Sequence, residues 1–257
     1  MEEIVRRESE SDSLPPVRHV PTGQPLSWIA RGWTDMLRAP AASLGYGFLI
    51  TAAGWAVLGF SWNRAYLVTA LVSGFFLFAP FLAMGVYDIS RRLGRGERAT
   101  FSETVDAWRP NAGSIALFGL ALAFALLSWE RVSAIIFALS HGDDAPMVEN
   151  FFAQVFLSGE YVGFVVSYIV AGAVIAAVVF SISVVSIPMM LDRPVDPVTA
   201  IITSLRAVGG SKGAMLLWAV TIVVLTAIGF ATALLGLIVI VPLLGHATWH
   251  AYKDLVE

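Results

Sequence analysis

GAMLLWAVTIVVLTAIGFATALLGLIVIVPLLGHATWHAY, residues 213–252, runs for 40 residues without an Asp, Glu, Lys or Arg. A bilayer core about 30 Å thick is crossed by roughly 20 apolar residues of helix, and a charge left in hydrocarbon costs several kcal/mol. The stretch is therefore long enough for two crossings, with Gly229, Thr232 and Gly236 offering a turn near its middle; a re-entrant pair is the alternative there. Four more charge-free stretches lie upstream, at 39–63, 65–87, 110–129 and 161–191. Composition points the same way. Hydrophobic residues make up 57% of the 257-residue chain and charged ones 14%, against roughly 45–50% and about 25% in ordinary globular proteins. Mean hydropathy is +0.76. These values exclude a soluble enzyme and a disordered tail protein. With no cysteine in the chain, disulfides, thiolate metal sites, iron–sulfur clusters, covalently attached haem and cysteine nucleophiles are excluded as well.

The expected fold is all-α, with six transmembrane helices near 43–61, 66–88, 112–130 (or on to Leu139), 163–190, 213–231 and 234–252. Lys and Arg are retained on the cytoplasmic side of membranes. With the N-terminus inside, 14 of the 16 Lys and Arg residues face the cytoplasm and only Arg64 and Arg131 lie outside. Both termini are therefore expected to be cytoplasmic. Residues 1–25, rich in Ser, Pro and Glu, read as a disordered cytoplasmic tail and not as a signal peptide, leaving 26–257 as the membrane domain.

Three segments share a pattern: Leu37-Arg38-Ala39-Pro40 with Ser43, Trp108-Arg109-Pro110 with Ser114, and Leu205-Arg206-Ala207 with Ser211. Each follows a short amphipathic stretch. The first carries Leu26, Ile29, Trp33, Met36 and Leu37 on one side and Arg31, Asp35 and Arg38 on the other. The second opens on the capping box Thr100–Glu103 and continues with Phe101, Val105 and Trp108. The third opens on Asp196-Pro197 and carries Val198, Ile201, Ile202 and Leu205. The expectation is a unit of interfacial helix plus transmembrane hairpin, repeated three times.

Pro80, Pro188 and Pro242 sit in the returning helix of each pair and should kink it, because proline leaves a carbonyl without its N–H partner. Met84, Asp192 and His246 lie four residues beyond, and Asp88 and His250 eight beyond the first and third prolines. These offsets gather Asp88, Asp192, His246 and His250 on kinked helices near the cytoplasmic surface. They form either a polar site for a proton, a cation or a headgroup amine, or a set of solvated boundary residues. His246 and His250 share a helical face and could chelate a metal, with Asp88 or Asp192 completing the set; whether a metal binds stays open. The small residues Ala171, Gly172, Ala173, Ala176 and Ala177 suggest close helix packing. Trp33, Trp62, Trp108, Trp129 and Trp249 read as interfacial anchors. No Walker loop or dinucleotide fingerprint occurs, no nucleophile stands beside a base in sequence, and no cofactor is expected.

Two stretches carry a resemblance. One is Ser73-Gly-Phe-Phe-Leu-Phe-Ala-Pro80 running to Gly85-Val-Tyr-Asp-Ile-Ser-Arg-Arg92. The other is Ser181-Ile-Ser-Val-Val-Ser-Ile-Pro188-Met-Met-Leu-Asp192-Arg193, followed by Thr203–Ala207 and Val241–His250. Together they resemble a largely proteobacterial family of predicted integral membrane proteins, domain-of-unknown-function family 2189, over about residues 26–257. Gly245-His-Ala-Thr-Trp-His250 is the most specific motif. The resemblance implies a multi-span protein of the bacterial inner membrane and carries no activity. Members are sometimes labelled as similar to cytochrome c oxidase subunit I, whose haem–copper core uses six histidines; this chain has two within reach of its membrane helices. The function expected is a non-enzymatic accessory, scaffold or envelope-homeostasis protein. A small transporter with a cytoplasmic polar gate is the alternative, and a metal- or haem-dependent oxidoreductase the third. Expected partners are the lipid bilayer and a membrane complex or a second copy, with no nucleic acid.

Overall fold

The computed structural model describes residues 14–61, 83–141 and 161–256. Ten helices occur among them: α1 (Gln24–Arg38), α2 (Pro40–Ser61), α3 (residues 83–94), α4 (Phe101–Thr104), α5 (Ala112–His141), α6 (Val162–Ser183), α7 (Ser186–Asp192), α8 (Pro197–Gly210), α9 (Lys212–Ala231) and α10 (Leu237–Leu255). The described residues hold no strand, only an antiparallel bridge between Val17 and Val256. The all-α expectation therefore holds. Pro80, Trp62 and Arg64 lie outside the described residues, as does most of the second expected span.

Among the described residues four segments are long and apolar enough to cross a membrane: Pro40–Gly59, Phe101–Leu139, Val162–Asp192 and Lys212–Ala231. At about 1.5 Å per residue, the 22 residues of α2 reach through a hydrocarbon core. α10 is not among the four, because its second half, from Gly245 to Asp254, is polar. Side chains such as Phe48, Leu58, Leu120, Phe124, Val174, Leu216 and Val223 are exposed along these helices. Apolar cover on that scale is tolerated against lipid and not against water.

The chain divides into two compact units, residues 1–119 with 181–257, and residues 120–180. In the smaller unit Trp129 stacks edge-on to Tyr168 at 4.8 Å, and Phe164 joins Tyr168 at 5.5 Å and Phe137 at 6.0 Å. Gly172 faces the Trp129 ring. The other small residues expected to pack, Ala173, Ala176 and Ala177, are exposed.

In the larger unit α10 is the hub, packed against α1, α2, α7 and α9. Pro242 lies inside α10, so the carbonyl of Ile238, four residues before it, has no helical N–H to accept. That carbonyl is where α2 crosses. A Cβ at Gly47 would stand 2.0 Å from the Ile238 oxygen, so only glycine admits the crossing. At the far end of α10 a Cβ at Gly32 of α1 would meet the Ala247 backbone nitrogen at 2.8 Å. Both contacts bring backbones together where a small residue allows it.

Pro188 acts more strongly than the expected kink. The helix expected over 163–190 breaks at Val184 and Val185, giving α6 and α7. The freed groups are satisfied from α8: Val185 N–H donates to Ser204 Oγ at 3.3 Å, and Ser204 Oγ donates to the Ser181 carbonyl at 2.7 Å. Val185 and Ser204 are fully buried. Ser204→Ala is expected to cost about 1–3 kcal/mol, the penalty of an unpaired buried backbone group; thermal unfolding in detergent would read it.

The turn between α9 and α10 is Thr232–Gly236, as expected. Ala233 and Leu234 take left-handed φ of 52° and 69°, a conformation that costs side-chain-bearing residues about 1–2 kcal/mol each. It is held from α2, where Trp55 Nε1 donates to the Ala233 carbonyl at 2.9 Å and Thr51 Oγ1 to that of Leu234 at 3.4 Å.

The three stretches read as interfacial helices turn out differently. α1 does expose Leu26, Trp33 and Leu37, but its opposite side is not free: Trp28, Gly32, Asp35 and Met36 are buried. Trp28 meets Trp218 of α9 edge-on at 5.7 Å. α8 begins at its Asp196 cap, which accepts from Val198 N–H at 2.8 Å and Thr199 N–H at 3.0 Å. It exposes Val198, Ile202 and Leu205 and buries Ala200, Thr203, Ser204 and Ala207. The second stretch keeps only the one-turn α4, followed by turns and a 3₁₀ turn at Arg109–Asn111. Pro110 and the short apolar run do not sustain more. The repeat also drifts in register: the helix break falls at Ala39 in the first copy and at Ser211, the residue aligned with Ser43, in the third.

Residues 14–23, expected as part of a loose tail, lie against the chain's other end. Arg18 N–H donates to the Leu255 carbonyl at 2.9 Å, Val20 N–H to Ser211 Oγ at 3.1 Å, and Val20 is buried.

Candidate functional site

The polar side chains of the larger unit collect at the end where α1 meets the second half of α10. His246 of α10 is fully buried, with Ser43 Oγ of α2 2.9 Å from its Nε2 and Ser90 Oγ of α3 2.7 Å from its Nδ1. Ser90 Oγ also donates to Asp35 Oδ2 at 2.8 Å, and the same oxygen accepts from His250 Nε2 at 2.8 Å. One continuous chain, Ser43–His246–Ser90–Asp35–His250, thus joins four helices through their side chains. Its members are placed by helix geometry: His246 and His250 by the i, i+4 spacing, Ser43 one turn into α2, and Ser90 on the buried face of α3 beside Val86 and Ile89.

Two further carboxylates flank it. Asp88 is fully buried and accepts from Arg91 Nε and Arg92 Nε, both at 2.8 Å, while Arg91 also donates to the Leu191 carbonyl at 2.8 Å. Asp192 accepts from Tyr252 Oη at 2.9 Å and pairs with Lys253 at 3.2 Å; Tyr252 Oη in turn accepts from Arg193 Nε at 3.0 Å. A third clamp lies at the chain end. Asp254 accepts from Gln24 Nε2 and Trp28 Nε1, both at 2.8 Å, and pairs with Arg31.

Of the four residues singled out from sequence, His246 and His250 therefore belong to one network. Asp192 shares a cleft with His250, and Asp88 sits apart in its own arginine pair. The boundary reading, with all four solvated where a helix leaves the bilayer, fails for Asp88 and His246, which are sealed from solvent. The metal reading of the His246/His250 pair gains nothing either: both His246 nitrogens face serine hydroxyls. Among the described residues no group of three or more His, Asp or Glu is arranged to hold a metal ion. A base does stand beside a nucleophile in space, Ser43 with His246, though neither is exposed. Trp249, read as an interfacial anchor, is buried against Tyr252 at 5.5 Å.

Asp35 is the residue sequence reasoning missed. It was placed on the polar side of an amphipathic helix, but Trp28, Gly32 and Asp35 form a second stripe at spacings of four and three, and that stripe is the docking face. Asn111 was missed as well; its side-chain amide donates to the Met190 carbonyl at 3.1 Å and the Val195 carbonyl at 3.0 Å, closing the end of α7.

Burial pushes the Asp35 carboxyl upward, but the hydrogen bonds from His250 and Ser90 outweigh it and hold the group below its ordinary value of 3.8. Asp254 behaves alike: burial raises it, and Arg31, Gln24 and Trp28 bring it below 3.8. A carboxyl depressed in the folded state contributes stability that is complete above the unfolded value and is lost as pH falls through the folded one. Detergent-solubilised protein is expected to hold its melting temperature down to about pH 4 and lose it below. Asp35→Asn with Asp254→Asn should flatten that acid limb.

Beside the network opens a cleft of about 400 Å³, lined by Asp35, Ser90, Asp192, Trp249 and His250 and by the cations Arg38, Arg91, Arg95 and Lys253.

Apolar helices of membrane-crossing length, with their polar groups drawn to one end, define an integral membrane protein of several helices. Residues 67–192 match the model of the family described as "Predicted integral membrane protein (DUF2189)". The motif stretches Ser73–Arg92 and Ser181–Asp192 lie inside that match, and over residues 67–192 the chain is similar to that family. The match is shorter than the 26–257 expected, and the Gly245–His250 motif lies beyond it. Comparison with curated proteins and with solved structures finds no match.

Proposed function

We propose that the chain is a six-span protein of the bacterial inner membrane, with both termini cytoplasmic, acting as a non-enzymatic accessory or scaffold subunit. The observation that carries this reading is the Ser43–His246–Ser90–Asp35–His250 chain. Its members are buried or half-buried, each is hydrogen-bonded, and its effect is to bolt α1 to α10 and hold the arginine-rich end as one rigid surface. A fully satisfied polar network rigidifies and specifies a unique arrangement. Fourteen of sixteen Lys and Arg residues lie at that end on the six-span reading, which supports a cytoplasmic orientation. The Trp33, Leu37 and Val198 side chains of α1 and α8 suit the headgroup layer.

The test is affinity purification in mild detergent with cross-linking and mass spectrometry. A stoichiometric membrane partner, or a second copy, should survive gel filtration. A monodisperse monomer without cross-links from native membranes would contradict the scaffold reading. One observation favours a transporter as second reading: the cleft reaches Asp35 and His250, and its walls come from α7, which follows the helix break at Val184 and Val185, and from the proline-bearing α10. On that reading Asp192→Asn or His246→Ala abolishes a solute flux with expression intact, and unchanged flux across a solute panel would end it.

A further inference from the structure

The cleft beside the network has a charge imbalance that its own residues do not resolve. Asp35 already accepts hydrogen bonds from His250 and Ser90. Asp192 is taken by Tyr252 and Lys253. Arg91 is committed to Asp88 and the Leu191 carbonyl. The two cations left over are Arg38, at the last turn of α1, and Arg95, just past α3. Both line the cleft, and neither guanidinium has a hydrogen-bond or ion-pair partner among the described residues. They approach from two different elements. The remaining wall is built from groups that can neither accept nor expel a proton readily, Trp249 foremost. The volume, about 400 Å³, exceeds what an inorganic ion fills and suits an organic headgroup. On the same helix as Arg38, Leu37 is 61% exposed and Trp33 45% exposed, apolar side chains open to the surrounding lipid.

We propose that this cleft binds a phosphate ester, with Arg38 and Arg95 gripping the phosphate oxygens from opposite elements. Guanidinium groups bind phosphate through paired, charge-assisted hydrogen bonds. Two sources supply this chemistry: a phospholipid of the surrounding leaflet, with its chain laid over Leu37 and Trp33, or a soluble phosphoester. The inference does not depend on the scaffold reading, since a transporter or an accessory subunit can hold the same group.

The experiment uses the full chain purified in a neutral, phosphate-free maltoside. One arm adds phosphatidylethanolamine and counts retained lipid by native mass spectrometry; the other titrates glycerol 3-phosphate by calorimetry. Wild type is expected to hold one equivalent in at least one arm. Arg38→Gln with Arg95→Gln is expected to weaken that binding at least tenfold, with melting temperature unchanged because both side chains are exposed. Arg206→Gln, on α8 and outside the cleft, serves as control and should bind as wild type does. Lipid binding alone assigns the membrane source, and glycerol 3-phosphate binding assigns the soluble one. Absence of saturable binding in both arms, undiminished binding by the double variant, or an equal loss with Arg206→Gln would overturn the proposal.

Discussion

Asp35→Ala is expected to destabilise the protein by about 2–5 kcal/mol, since two donors lose their acceptor and each unpaired buried group costs about 1–3 kcal/mol. The reason is what it leaves behind. His250 Nε2 and Ser90 Oγ both aim at the lost carboxylate, and Ser90 in turn positions His246. The damage therefore runs past one bond and reaches the contact of α2 with α10 through Ser43. The melting temperature in detergent should fall by on the order of 10 °C, and Arg31 and Arg38 of α1 should become readily cut by trypsin. Asp35→Asn, which keeps an acceptor, should lose about half as much. A melting temperature within a degree or two of wild type would show that the network does not hold α1.

A still more local change should be worse. Gly47→Leu places a side chain where even a Cβ comes within 2.0 Å of the Ile238 oxygen. Backbone cannot rotate aside as a side chain can, so α2 must shift off α10 as a whole. Overpacking of this kind costs about 3 kcal/mol or more. The shift would also release the Trp55 and Thr51 donors that steady the left-handed turn at Ala233 and Leu234. Poor yield and aggregation on gel filtration are expected, with Gly47→Ala intermediate. Wild-type yield and melting temperature for Gly47→Leu would rule out this crossing.

What the sequence makes legible here follows from which forces act locally. The apolar runs that lie among the described residues, the Asp196 cap and the Thr232–Gly236 turn depend on neighbours within a few residues, and they appear where the sequence places them. Pro188 and Pro242 carry the same local signal yet differ in outcome. Ser204 stands ready to satisfy the backbone where the first helix breaks, whereas the Ile238 carbonyl freed by Pro242 lies against Gly47 and α10 continues. That distinction comes from the neighbouring element and leaves no trace beside the proline. The amphipathic stretches mislead for a related reason. In lipid the bulky apolar stripe can face outward while small and polar residues pack inward, as on α1 and α8. Reading the apolar stripe as the working face of α1 therefore conceals Asp35. The histidine pair at 246 and 250 is visible as a motif, but its partners Ser43, Ser90 and Asp35 come from three other helices, up to 215 residues away. Asp88 could have been placed better, since Arg91 and Arg92 stand at the three- and four-residue spacings that pair on a helix.

The docking of the N-terminal segment and α1 onto the end of α10 can be tested directly, because the chain has no native cysteine. Val17 and Val256 form the antiparallel bridge, close enough for a disulfide. In the Val17→Cys, Val256→Cys variant, mild oxidation of native membranes should cross-link nearly all of the protein within minutes, while Val17→Cys with Leu235→Cys should stay reduced. No faster cross-linking in the first pair than in the second would mean that these two ends of the chain do not meet.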